Sequence, residues 1–152
     1  MKLRIFILTL IMLAISCAEP PKPGKQVSFE TFCTSELNPV LQKGLSIGQR
    51  VSLDGYLGLS DMFSLQSDTL MITLFSDPER SGSTINVSIK VGTSKNNIES
   101  LNSEYKYSDL KVMTNTGKIM GPDSKVRIHG ERLGESEDNS CYLGIDLIEE
   151  IN

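Results

Sequence analysis

The side chains able to take part in catalysis are few in this chain of 152 residues. His129 is the only histidine, so any nucleophile–histidine–carboxylate arrangement would have to use it. It is out of phase with Val126 and Ile128, which predicts a solvent-exposed side chain on the outer face of a strand. The sequence has no Gly-x-Gly-x-x-Gly, Walker or Gly-x-Ser-x-Gly motif. We therefore predict that the protein is not an enzyme and uses no cofactor.

Residues suited to metal binding are equally scarce. Zinc sites take three or four His and Cys ligands at short spacings, which one histidine and three cysteines do not supply. The acidic run at residues 135–139 offers oxygen ligands for calcium, but it has neither the spacing nor the glycine of an EF-hand. We interpret this run as a solvated loop and predict no bound metal.

The N-terminus has the pattern of an export signal. Lys2 and Arg4 precede an apolar run over residues 5–15, which Ser16 and Cys17 follow. A helix needs about 20 apolar residues to cross a bilayer, so this run is too short for a permanent anchor. The pattern predicts a secretory signal that is removed from the mature protein.

The sequence Leu-Ala-Ile-Ser-Cys at residues 13–17 resembles the lipobox of bacterial lipoproteins. The resemblance implies a signal peptide over residues 1–16, cleavage before Cys17, and acylation of the cysteine with chains such as palmitate. Two or more acyl chains give stable membrane anchoring, whereas one is marginal. The following Ala18, in place of an aspartate, favours the outer over the inner membrane of the cell envelope. A soluble periplasmic protein is the alternative.

Residues 17–28 follow the signal and contain three of the six prolines. This composition predicts a stiff, extended tether that holds a domain over residues 29–152 off the membrane surface. Loss of Lys2 and Arg4 with the signal leaves 13 basic against 19 acidic residues, a net charge of −6. Such a chain is disfavoured near nucleic acid and anionic headgroups.

Cys33 and Cys141 remain once Cys17 is assigned to the lipid. An even pair of cysteines in an exported chain predicts a disulfide. The pair lacks the Cys-x-x-Cys spacing of redox sites, so we predict a structural bridge between the N-terminal segment and the last strand. Two buried thiols are the alternative.

The domain has a hydrophobic period of two residues, which is typical of half-buried strands. Five main segments show it, near residues 51–57, 70–74, 85–91, 126–128 and 141–147. Asn115-Thr116-Gly117 predicts an additional hairpin between residues 110–114 and 118–120. Over residues 94–105, Ile98, Leu101 and Tyr105 recur at steps of three and four, which predicts one short amphipathic helix.

Two of these strands share the pattern basic, Val, polar, aliphatic, polar, Gly, at residues 50–55 and 125–130. A glycine in a strand often marks a bend where a barrel turns a corner. Five strands, a helix between the third and fourth, and two bend glycines resemble the OB-fold. We therefore predict a mainly β protein, a small five-stranded OB-like Greek-key barrel with one short helix and an extra hairpin. A small β-sandwich is the alternative.

The resemblance implies binding through strands two and three and through the loops at residues 58–68 and 133–140. Both loops contain acidic residues and neither contains Lys or Arg, the opposite of a groove for single-stranded nucleic acid. Met62 and Phe63 in the first loop suit a protein partner, or they plug the barrel end. Tyr56 and Tyr142 are out of phase with the core and could stack on a sugar or peptide.

These observations predict a non-catalytic, lipid-anchored protein of the bacterial cell envelope. The barrel is expected to be a protein-interaction module, with contacts through Tyr56, Met62, Phe63 and Tyr142. A binder of a glycan or small ligand, in the periplasm or at the cell surface, is the alternative.

Overall fold

The computed structural model describes residues 19–33, 45–59, 65–66, 68–135 and 141–151. A 3₁₀ turn at Tyr107–Asp109 lies between the fifth and sixth strands. The other elements in chain order are β1 (Lys25–Gln26), α1 (Phe29–Cys33), β2 (Arg50–Gly58), β3 (Leu65–Gln66), β4 (Thr69–Phe75), β5 (Thr84–Lys90), β6 (Val112–Met113), β7 (Ile119–Met120), β8 (Lys125–Glu135) and β9 (Cys141–Glu150).

Five long strands close into a barrel. β2 is antiparallel to β8, β8 is antiparallel to β9, and β9 is parallel to β5. β5 is antiparallel to β4, which returns to the second half of β2 and closes the ring. This order, with its single parallel pair among the five long strands, confirms the predicted OB-like barrel. It excludes the alternative of two stacked sheets.

The core of the barrel is built from the alternating apolar residues of the five strands. One side chain from each strand, among others, is fully buried there: Leu53, Ile72, Val87, Ile128 and Leu143. Each such side chain contributes about 1.5–3 kcal/mol through loss of apolar surface to water. The period of two residues therefore predicted the inward face of the long strands, except at the end of β9. There Leu147 lies opposite the outward-pointing His129, and Ile148 belongs to the core in its place.

The two predicted bend glycines lie where their strands change pairing. β2 pairs with β4 only from Tyr56 onward, directly after Gly55. In β8 the pairing with β9 shifts register between His129 and Gly130. A Cβ on Gly130 would overlap the carbonyl oxygen of Gly144, so the backbones approach there too closely for any side chain.

The disulfide between Cys33 and Cys141 is present, as predicted, and joins α1 to the first residue of β9. The two Cα atoms are 5.5 Å apart, which is within the usual range for a bridge. In the described ranges, no helix is both long and apolar enough to cross a bilayer.

The predicted helix over residues 94–105 is wrong, because this segment consists of turns and bends. Ile98 forms single bridges with Val91 and Val112, and its N–H donates to the carbonyl oxygen of Lys90 at 3.0 Å. Ile98 and Leu101 are nevertheless buried, and Tyr105 packs against the core. The spacing therefore identified three inward-facing residues, but a chain of turns rather than a helix directs them inward.

The predicted extra hairpin is confirmed as β6 and β7, which pair Val112 with Met120. Its turn packs on the last strand, where the Asn115 N–H donates to the carbonyl oxygen of Ile148 at 2.8 Å. Lys118 also pairs with Glu150 at 2.6 Å. The hairpin is therefore fixed to the C-terminal end of β9.

Candidate functional site

Three of the predicted site residues, Cys17, Met62 and Phe63, lie outside the described residues, as does most of the acidic loop at residues 133–140. Tyr56 and Tyr142 are described, and both are half-buried. Tyr56 pairs with Lys125, the first residue of β8, whereas Tyr142 pairs with Gly134, close to its last residue. The two tyrosines thus lie at opposite ends of β8 and do not form one surface.

Tyr56 belongs to a group of aromatic side chains on the outer face of the barrel. It lies directly opposite Phe75 in the pairing of β2 with β4, and both side chains point away from the core. Directly opposed residues of this kind have Cβ atoms about 4.5–5.5 Å apart, which places the two side chains next to one another. The ring of Phe75 lies against Gly58, beside the hydroxyl group of Tyr107.

Arg80 completes this group from the turn between β4 and β5. Its guanidinium carbon is 4.0 Å from the centre of the Tyr107 ring, which is a cation–π contact. The same guanidinium donates to both carboxylate oxygens of Asp123, at 2.7 and 2.9 Å. We call these five residues, Tyr56, Phe75, Arg80, Tyr107 and Asp123, the Tyr107 cluster.

The phenol of Tyr107 is held in its neutral form within this cluster. Its hydroxyl donates to the Asp123 carboxylate at 3.0 Å. Burial, followed by this hydrogen bond, raises the pKa of Tyr107 to about 12. Tyr107 is thus a hydrogen-bond donor and an apolar surface at neutral pH.

The turn that carries Arg80 is organised by the Asp77 carboxylate. It accepts hydrogen bonds from the backbone N–H groups of Ser81 at 3.2 Å and Gly82 at 2.5 Å. These hydrogen bonds lower the pKa of Asp77, and the one from Ser81 has the largest effect. Arg80 has a φ of 61° and its partner Asp123 a φ of 62°, an uncommon backbone conformation for non-glycine residues. Two loops are thus held in uncommon conformations at the point where their side chains meet.

A second notable region is formed by residues 22–27, which we call the strap. Although these residues fall within the predicted tether, Lys25 and Gln26 form β1, parallel to β2. The carbonyl oxygen of Lys22 accepts a hydrogen bond from Nε of Arg50 at 2.5 Å. The Val27 N–H donates to the carbonyl oxygen of Ser52 at 3.0 Å. This part of the N-terminal segment is therefore packed on the barrel.

His129 lies beneath the strap, so the prediction of a solvent-exposed side chain is wrong. Only 3% of the residue is exposed, although it does point out of the barrel as its position in the strand predicted. Its Nδ1 accepts a hydrogen bond from the Gly24 N–H at 3.0 Å, and its Nε2 lies 3.0 Å from a carboxylate oxygen of Glu149. With Nδ1 as acceptor, the proton is on Nε2 and is donated to Glu149. Because both ring nitrogens are used, neither is available to activate a nucleophile.

Ion pairs border the strap on the same outer face. Arg127 donates to both oxygens of Asp54, at 2.6 and 2.8 Å, and this contact lowers the pKa of Asp54. Arg50 donates to both oxygens of Asp146, at 2.8 and 2.6 Å. These four side chains are partly exposed, so each pair contributes roughly 0–1 kcal/mol to stability. Their main effect is to neutralise the charges beside the strap.

Within the described part of the chain, no group of three or more His, Cys, Asp and Glu side chains is placed to hold a metal ion. No protein-family model matches the chain, and no match was found among the curated proteins. The geometry of the site itself is therefore the basis for inferring function.

Four members of the Tyr107 cluster were not predicted from the sequence. For Phe75 a signal existed, since it follows Leu74 and is out of phase with the buried apolar residues of β4, as Tyr56 is in β2. Arg80, Tyr107 and Asp123 lie in turns, where no hydrophobic period predicts the direction of a side chain. Their meeting depends on how the loops fold back over the barrel wall.

Proposed function

We propose that the protein is a non-catalytic, lipid-anchored protein of the bacterial cell envelope, and that its barrel binds a protein partner through the Tyr107 cluster. The observation that carries the proposal is the combination of residue types in that cluster. Tyrosine and arginine are enriched among the residues that dominate protein–protein binding energy. Here three half-buried aromatic side chains lie beside an arginine whose side chain is 40% exposed.

The cysteines support the lipid anchor. Two of the three form the disulfide, which is typical of proteins exported to an oxidising compartment. The third, Cys17, follows the apolar run of the predicted export signal and Ser16. It is therefore the cysteine left for acylation, at the position where the lipobox pattern expects it.

The charges of the cluster indicate what kind of partner it would accept. Arg80 is already paired with Asp123, and Tyr107 is neutral, so the cluster has no strong net charge. Recognition would therefore depend on aromatic contact and hydrogen bonding rather than on attraction between opposite charges. A protein surface with apolar side chains fits this description, whereas an anionic nucleic acid does not.

The experiment is site-specific photo-crosslinking in intact cells. A photoreactive phenylalanine analogue replaces Tyr56 in one variant and Tyr142 in a matched control, because Tyr142 is also half-buried but lies at the other end of β8. We expect one discrete adduct with an envelope protein from position 56 and none from position 142. Mass spectrometry would identify the partner.

A second pair of variants tests whether the cluster itself makes the contact. Arg80→Ala breaks the ion pair with Asp123, and Arg127→Ala breaks a comparable pair with Asp54 on another part of the barrel. We expect the adduct from position 56 to be lost in Arg80→Ala and kept in Arg127→Ala. Absence of any adduct from position 56 would count against the protein partner and direct attention to glycans, which aromatic side chains can also bind.

A further inference from the structure

The strap shows from which end of the barrel the N-terminal chain departs. β1 is parallel to β2 with Lys25 opposite Val51, so the residues before Lys25 extend past the start of β2. The hydrogen bond from Arg50, the first residue of β2, to the Lys22 carbonyl fixes this direction. The chain toward Cys17 therefore leaves the barrel where β2 begins. We call this the anchor end.

Three large hydrophobic residues are mostly exposed in the part of the chain that the structure describes, and two of them lie at the anchor end. Ile47 is 66% exposed and precedes β2, and Leu133 is 54% exposed near the end of β8. β8 is antiparallel to β2 and pairs Glu131 with Arg50, so its last residues extend past the start of β2. Both apolar side chains are thus on the side from which the strap enters.

Ile47 lies at the tip of a tight turn. The Gln49 N–H donates to the carbonyl oxygen of Ser46 at 3.0 Å, and Gly48 has a φ of 78°. A positive φ at the third residue is what a type II turn requires, and glycine adopts it without steric cost. The Gly48 N–H also donates to the carbonyl oxygen of Arg132 at 2.8 Å, which fixes the turn to the end of β8.

Leu133 is directed outward by an irregularity in β8. Arg132 pairs with Leu143 and Gly134 pairs with Tyr142, so Leu133 is an extra residue between two paired positions. Bulges of this kind redirect a side chain. The side chain of Leu133 lies over Gly144, and the adjacent Gly134 lies beneath Ile47. Ile47 and Leu133 therefore form one surface, which we call the apolar patch.

We propose that the anchor end rests on the membrane and that the apolar patch inserts into the bilayer at the level of the headgroups. This inference rests on the proposed acylation of Cys17. Cys17 is five residues before Lys22, and an extended chain spans at most about 3.5 Å per residue, or about 17 Å in all. The docked strap thus keeps Lys22, beside the start of β2, within that distance of the anchor, whereas a free tether over residues 17–28 would not.

The charges at the anchor end bear on whether it attracts anionic lipid headgroups. Lys22 is paired with Glu19 at 3.3 Å, and Arg50 is paired with Asp146. With both cations neutralised, the surface offers apolar contact and no attraction to anionic headgroups. Because the acylated Cys17 would hold this surface next to lipid, we take the bilayer itself as the occupant, with zwitterionic lipid alone sufficient.

The test uses tryptophan, which the chain lacks. The full, lipidated protein is reconstituted into phosphatidylcholine vesicles, with and without brominated acyl chains, as a Leu133→Trp variant. Ile119→Trp is the matched control, because Ile119 is 53% exposed but belongs to the hairpin fixed to the other end of β9. We expect a blue shift of emission and quenching by brominated lipid for Leu133→Trp, and neither for Ile119→Trp.

Other outcomes would overturn the inference. Flotation of the vesicles and mass spectrometry of the N-terminal peptide first establish whether Cys17 is acylated. Acylated protein in which Leu133→Trp is not quenched, or in which both variants are quenched equally, overturns the inference and leaves the proposed function standing. Protein without the lipid overturns both.

Ile47→Trp provides a second measurement should the Leu133→Trp protein fail to fold, since Ile47 is at the tip of an exposed turn. The same quenching is expected there. Adding phosphatidylglycerol to the vesicles should leave the quenching unchanged. Quenching that appears only with this anionic lipid would contradict insertion by the apolar patch.

Discussion

The backbone N–H of Gly24 donates to Nδ1 of His129 across 3.0 Å, although the two residues are 105 positions apart in the chain. This bond connects a proline-rich segment, whose composition alone predicts a tether, to a buried side chain on the outer face of β8. It also determines the tautomer of the histidine, because an acceptor nitrogen carries no proton. The only histidine of the protein therefore holds the strap, and the strap in turn sets the direction of the N-terminal chain.

Gly24→Ala should release the strap while leaving the barrel folded. A Cβ at position 24 would overlap the backbone carbonyl of Val51, so the strap cannot remain in place. Loss of its few hydrogen bonds should lower the free energy of unfolding by about 1–3 kcal/mol. Hydrogen exchange should show faster exchange at Lys25 and Val27, with β4 and β5 unchanged. Lys25→Ala, at an exposed strap position, is the control, and unchanged exchange in Gly24→Ala would contradict this account.

His129→Ala should destabilise the protein more than an exposed substitution on the same strand. It leaves the Gly24 N–H and the Glu149 carboxylate without their common partner, and it removes a buried ring. We expect the free energy of unfolding to fall by about 2–4 kcal/mol, because two polar groups lose hydrogen bonds and a cavity forms. Urea unfolding measures the change, with the exposed Lys125→Ala as the control. A His129→Ala protein as stable as Lys125→Ala would show that the strap contact is unimportant.

The Tyr107 cluster should make stability depend on pH in the alkaline range. Burial and the hydrogen bond to Asp123 raise the pKa of Tyr107 from 10.0 to about 12, so the folded state favours the neutral phenol. The stabilisation is fully present below pH 10 and is lost as the pH rises from 10 to about 12. Urea unfolding across this range should show the loss in the natural protein and a smaller loss in Tyr107→Phe. Tyr56→Phe is the control, and an identical profile for Tyr107→Phe would show that this phenol is not responsible.

The sequence predicted those parts of the fold that depend on local pattern. Alternation placed Leu53, Ile72 and Leu143 inside the barrel, because a strand directs successive side chains to opposite faces. The same alternation placed Tyr56 and His129 outside. It did not predict that a proline-rich segment would cover His129, because that depends on a contact between residues far apart in the chain.

The hydrophobic pattern did not predict where the side chains of residues in turns would lie. Arg80 and Tyr107 meet because the turn after β4 and the loop before β6 fold over the same part of the barrel wall. Likewise, Ile98 and Leu101 have helical spacing but reach the core from an irregular chain. In both cases the backbone conformation is determined by tertiary contacts, which override the local preference.

The disulfide should contribute to stability alone, without a role in redox chemistry. Cys33 and Cys141 are 108 positions apart, and closing a loop of that length stabilises the folded state by about 4–5 kcal/mol in the chain-entropy model. We expect Cys33→Ser to lower the melting temperature, and a reducing agent to lower that of the natural protein similarly. The double variant Cys33→Ser and Cys141→Ser is the control, because its melting temperature should not respond to the reducing agent. Loss of partner crosslinking from position 56 at temperatures where Cys33→Ser is still folded would contradict a purely structural bridge.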